Sequence, residues 1–246
     1  MADVHFDWRL NSGIASVANT CLLLLVLASF PLILYFTNGF GVADTLVGTP
    51  QHTRAYVMAC AFLTAFLWLC FAIAIAGIHA RAAITCRQLI AARWNRWQAA
   101  VRDLGIALAT LLAMGIIGNL ANHFLAPLQQ ETPMLRAIAN PQNTWEALAF
   151  LASALTAGFV EEFVFRGYLQ RQFQALFGNT LLAATAQVLV FTLGHIYQGW
   201  ARLIPVFLIG LVLTAVALWR KSLVPGIIAH ALGDGLVTFL YFARNG

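Results

Sequence analysis

Charge is what this sequence lacks most. Only 9% of its residues are Asp, Glu, Lys or Arg, against about a quarter in an ordinary soluble domain. Acidic groups are scarcest, nine against fourteen Lys and Arg, and mean hydropathy is +0.80. A soluble globular enzyme is thereby excluded, and an integral membrane protein is expected. Cysteine is scarce too. Cys21, Cys60, Cys70 and Cys86 stand singly with no C-x-x-C pair, so neither a disulfide framework nor a zinc knuckle is signalled and they read as small packed hydrophobes. No internal repeat, low-complexity tail or stretch polar enough for a second soluble domain is present.

What is there is apolar length. Uncharged runs recur at 13–36, 55–78, 104–128, 147–160, 181–193, 203–219 and 223–242. A bilayer core takes about 20 helical residues, so the expected fold class is all-α, a polytopic transmembrane bundle of about seven helices. The fourth and fifth runs are short unless they continue through polar residues. The first run is too long for a signal-peptide core, which spans about 7 to 15 residues, and is expected to be a retained helix. Residues 1–144 carry no motif and 145–246 carry several, within one compact membrane domain.

The basic residues give a direction. Between the second and third runs, "HARAAITCRQLIAARWNRWQAAVRD" holds Arg81, Arg87, Arg93, Arg96 and Arg102. With the N-terminus inside, Arg9, Arg166, Arg171, Arg220 and Lys221 join them, leaving only Arg54, Arg136, Arg202 and Arg244 outside. Ten against four favours a cytoplasmic N-terminus. The loop, with Trp94 and Trp97 interleaved, reads as an anchor on an anionic leaflet rather than a nucleic-acid surface.

Against this background, the few ionisable residues inside the runs stand out. A charge near the bilayer centre costs about 2.5 to 3.5 kcal/mol on insertion scales, so such groups face protein or water and are functional by default. They form three clusters. In "GFVEEFVFRGYLQ", Glu162 and Arg166 lie four apart and can pair on one helix face. Glu161 points about 100° away, free to serve a site as general base. In "FTLGH", Phe191 precedes His195 by one turn and can pack its ring or exclude water. In "HALGD", His230 and Asp234 share a face, where the aspartate can hold the imidazole in one tautomer. Two histidines with these carboxylates could also bind a divalent metal, with Glu161, His195, His230 and Asp234 as candidate ligands.

The three clusters, in this order, resemble the CPBP family of intramembrane proteases, the type II CAAX prenyl endopeptidases and bacterial relatives linked to bacteriocin processing and immunity (Abi-like). Its pattern, E-E-x-x-x-R, F-x-x-x-H and H-x-x-x-N/D, stands here at Glu161, Glu162, Arg166, Phe191, His195, His230 and Asp234. The resemblance implies an intramembrane endopeptidase of glutamate or metallo type. In it, Glu161 and His195 activate water, His230 and Asp234 stabilise the oxyanion or orient its donor, and Glu162 with Arg166 supports Glu161. An ionised aspartate cannot donate a hydrogen bond, so Asp234 orients His230 or ligates a metal. The cofactor stays open between a divalent metal such as zinc and none. The implied partners are a membrane-anchored, lipidated or membrane-associated peptide or protein and the lipid bilayer, without nucleic acid. The implied location is a bacterial inner membrane. Two other classes remain, a non-catalytic immunity or scaffold protein of the same fold and a proton-coupled transporter.

Depth arithmetic at 1.5 Å per residue puts Glu161 about 21 Å below a helix start at Ala147, and His230 about 10 Å above one at Leu223. These agree on a site about 9 to 10 Å from the cytoplasmic boundary of a 30 Å core, and predict a pocket open to the cytoplasm. His195 falls about 21 Å along a helix begun at Leu181, out of step with the other two.

Overall fold

The computed structural model describes residues 13–37, 39–81, 84–91, 94, 96–128 and 132–245. Arg9, Arg93 and the N-terminus expected on the cytoplasmic side lie outside the described residues. Those described form an all-α bundle, as expected: α1 (Val17–Phe36), α2 (Pro50–Arg81), α3 (Cys86–Ile90), α4 (Trp97–Leu125), α5 (Pro133–Ile138), α6 (Thr144–Glu161), α7 (Gln170–Phe177), α8 (Thr180–Gly194), α9 (Leu203–Arg220) and α10 (Val224–Asn245). Six helices are long and apolar enough to cross a membrane, and the 15-residue α8 is a shorter apolar seventh. The chain is an integral membrane protein.

Local chemistry sets the boundaries. Asn143 and Asn179 cap α6 and α8 by accepting from the amides of Glu146 and Leu182, each satisfying an orphan donor of the first turn. Gly178 closes α7 in the left-handed conformation, φ 63°, which glycine adopts without steric cost. Thr85 and Gln88 form a capping box that makes a helix of the five residues of α3.

Between α6 and α7 the backbone widens into a π-helical segment, Glu162–Leu169. Helix, π segment and helix make one column from Thr144 to Phe177, 34 residues long. The fourth apolar run therefore does not end near Val160 but carries on through its own charges. It can do so because residues 160 to 174 are all buried, so those charges meet protein and not lipid.

Packing follows a circuit. α1 lies against α2, α2 against α6, α6 against α10, α10 against α4, α4 against α9, α9 against α8, and α8 against α1. At Gly158 two helices cross closely, and a Cβ there would come within 2.6 Å of the backbone of Ala231. One end of the circuit holds the arginine-rich connection. Here Arg220 meets Asp103 at 2.9 Å, Trp94 donates to Asp103, the Leu223 amide donates to Ile90, and Gln172 bonds both backbone groups of Ala15. The π segment and α7 fill this end. The other end joins the starts of α2 and α6 with α5 and residues 196–198. Its ties are Tyr56 to the Ile138 carbonyl, Thr53 to the buried Glu146, and Thr132 to the Tyr197 carbonyl.

Candidate active site

The first motif straddles the change from α- to π-winding. Glu161 is the last residue of α6 and Glu162 the first of the π segment. Arg166, fully buried, donates from Nη1 to Glu162 Oε1 at 3.0 Å and from Nη2 to the Gly210 carbonyl at 3.3 Å. Its guanidinium also lies 4.3 Å from the centre of the Phe191 ring, a cation–π contact that desolvation strengthens. The expected Glu162–Arg166 pair is present, but Glu162 is not spent on it. The same Oε1 lies 3.0 Å from Nδ1 of His230, so one carboxylate oxygen joins the first motif to the third.

The face of His230 toward Nε2 holds the other two carboxylates, Glu161 Oε2 at 3.8 Å and Asp234 Oδ2 at 3.5 Å. Nδ1 thus faces Glu162 and Nε2 faces Glu161 and Asp234. Asp234 was expected to fix the tautomer, but the shorter contact is from Glu162. Glu161 Oε2 and Glu162 Oε2 are buried without hydrogen-bond partners among the described residues. Three carboxylates converge on one imidazole, and one of them, Glu162, also meets the Arg166 guanidinium.

His195 caps the C-terminus of α8, and its Nδ1 lies 2.8 Å from the Phe191 carbonyl. A carbonyl only accepts, so Nδ1 carries the proton and a neutral ring keeps its lone pair on Nε2. Phe191 is the wedge between motifs. It stacks obliquely on His195 at 4.6 Å, meets His230 edge-on at 6.3 Å, and carries Arg166 on its face.

The predicted mismatch in depth disappears in the fold. Glu161 and His195 stand equally far from Gly178, seventeen residues on either side, and α7 and α8 pack as a hairpin about that turn. The error lay in taking Leu181 as a membrane boundary. The hairpin sets the common level, and α8 begins at Thr180 as a helix about 22 Å long, short of a full crossing.

Glu161, Phe191, His195, His230 and Asp234 all line one cavity of about 750 Å³. Its walls are mostly apolar, with Leu24, Phe30 and Leu34 of α1 and Phe66 of α2 among them. Tyr197, Gln198 and Arg202 also line it, and Tyr197 stacks on His195 at 6.1 Å. These three escaped sequence reading because they follow the motif in a connection, and only the polar break "YQGWAR" hinted at them. The cavity extends from the motifs to the end formed by α5 and residues 196–202.

The donor set does not fit a resident metal. Among the described residues, no group of three or more His, Cys, Asp or Glu side chains is placed to hold an ion.

No curated protein and no solved structure matches the chain. Residues 143–236, however, match the family model for Rce1-like type II CAAX prenyl endopeptidases. The match starts at the cap of α6 and ends two residues beyond Asp234, so it spans all three motifs. Through this segment, the chain is similar to the Rce1-like type II CAAX prenyl endopeptidases, the family that its motifs resemble.

Proposed function

We propose that the chain hydrolyses a peptide bond of a membrane-anchored, lipidated or membrane-associated substrate, with Glu161 and His195 activating the attacking water. The observation that carries this is the meeting of Glu161, His195, His230 and Asp234 on one cavity wall. Glu161 Oε2 takes a proton from water as the water oxygen bonds to the scissile carbonyl carbon. His195 Nε2 accepts the second water hydrogen as a hydrogen bond and aims the attack. The carbonyl oxygen becomes an oxyanion, stabilised by the proton on His230 Nε2 when that ring is charged. When the tetrahedral intermediate collapses, the C–N bond breaks and Glu161 returns its proton to the leaving amine. Glu162 and Asp234 hold the His230 ring, and Arg166 balances Glu162. The dry walls favour the chemistry, since charge interactions strengthen where water is excluded.

The test is cleavage of a co-expressed membrane-anchored reporter. Glu161→Gln should lower the rate by about 10² to 10⁴-fold, the usual contribution of a positioned general base, with membrane levels of the chain unchanged. His195→Ala should behave similarly. Undiminished cleavage by Glu161→Gln would overturn the assignment, and a phenotype that both variants preserve would favour a non-catalytic role.

A further inference from the structure

We propose that Tyr197 is a positioning residue, whose ring holds the His195 imidazole in the plane from which Nε2 reaches the attacking water. The inference rests on the hydrolytic reading for the water, but not for the hold on the ring.

His195 stands where the backbone ladder ends. Glu161 and His230 lie within continuous helical columns, 144–177 and Val224–Asn245. His195 is instead the residue on which α8 stops, at φ −98° and ψ 9°. The last turn of a helix leaves its carbonyls without intrahelical partners and frays most readily. His195 meets one of those carbonyls, that of Phe191, through Nδ1 at 2.8 Å. One hydrogen bond fixes one ring atom and leaves the plane free to swing about it. Nε2, across the ring from that anchor, is displaced by such a swing.

Two aromatic neighbours restrict the plane. Phe191 lies obliquely to the imidazole, 50° at 4.6 Å, and Tyr197 more nearly parallel, 25° at 6.1 Å. Tyr197 stays beside His195 because 196–198 is a single 3-10 turn, closed by the Gln198 and Gly199 amides on the His195 and Ile196 carbonyls. The tyrosine is itself backed twice from α2. Phe30 of α1 meets its ring edge-on at 5.7 Å and packs in turn on Phe66 of α2 at 4.8 Å. Its carbonyl accepts from the Thr132 hydroxyl at 3.0 Å. Thr132 caps α5, which the Tyr56 hydroxyl ties to α2 through the Ile138 carbonyl. The Tyr197 hydroxyl accepts from the neighbouring Gln198 side chain at 3.3 Å, a long bond, so the flat face carries the role and not the oxygen.

The test compares the ring with the hydroxyl. In Glu161-dependent cleavage, Tyr197→Leu should lower kcat by about 10- to 100-fold, the scale of small misplacements around a reaction centre, with KM little changed. Tyr197→Phe should stay near wild type. In a His195→Ala background, Tyr197→Leu should cost nothing further, because a residue that acts through another has no effect once the other is gone. Equal losses in both backgrounds, an unchanged kcat in Tyr197→Leu, or Tyr197→Phe falling as far as Tyr197→Leu would each overturn the proposal. A second measurement needs no activity. In protein carrying isotopically labelled histidine, with the His195 signals identified by their loss in His195→Ala, the neutral wild-type ring should show one Nδ1-protonated tautomer. Tyr197→Leu should draw its two nitrogen shifts toward the averaged values of a mobile ring, and Tyr197→Phe should not. Unchanged shifts in Tyr197→Leu overturn the proposal as well. If that variant fails to fold, Tyr197→Met fills the space without a flat face and takes its place. Should Glu161→Gln and His195→Ala both cleave at the wild-type rate, the hydrolytic reading fails, and the nitrogen shifts still decide the hold on the ring.

Discussion

A single oxygen, Oε1 of Glu162, ties the charged centre together by meeting both Arg166 and His230 at 3.0 Å. Removing one partner of a buried pair costs more than the pair contributes, because the survivor keeps its desolvation penalty. Arg166→Met should therefore destabilise the protein by about 3 to 5 kcal/mol, measured as a lower unfolding temperature in detergent. Adding Glu162→Gln to that variant should recover part of the loss. Glu161→Gln should do the reverse, leaving the unfolding temperature nearly unchanged while cleavage collapses. That no group of three or more His, Cys, Asp or Glu side chains is placed to hold an ion among the described residues leads to a third expectation. Incubation with a strong chelator should leave Glu161-dependent cleavage intact, and loss that zinc restores would contradict the proposed mechanism.

At the level of elements, the crossing of α6 and α10 at Gly158 sets the distance between the first and third motifs. Gly158→Val puts its branched side chain against the Ala231 backbone, which cannot yield as a flexible side chain would. Overpacking of this kind costs about 1 to 3 kcal/mol. It should also part Glu161 from His230, so cleavage by folded, membrane-inserted Gly158→Val should fall well below what its stability accounts for. Apolar run lengths and the three motifs were enough to read the bundle and the list of converging residues from sequence. The π segment was not legible, because Glu162 and Arg166 pair at the same spacing in ordinary helix. The shared level of Glu161 and His195 was also hidden, since the charges in "VEEFVFR" look like a helix end when they are instead its buried middle. Tyr197 and Arg202 went unseen because nothing in a connecting segment says which way it folds.

For the whole molecule, the charges of the first motif sit in the fourth long helix, yet their partners come from the end of the chain: Phe191 from α8, the Gly210 carbonyl from α9 and His230 from α10. During synthesis, the ribosome delivers this segment, with only its internal Glu162–Arg166 pair, before the partners that complete the site. The half-made protein must hold Glu161, Glu162 and Arg166 in water or against the insertion machinery, at about 2.5 to 3.5 kcal/mol for each ion forced into lipid. Final seating of this column is thus a late, post-translational event that waits for the last span. Chains truncated after Lys221 should be cleared by quality-control proteases, visible as a shortened half-life in pulse-chase, whereas chains ending before Thr144 bear no such burden and should persist.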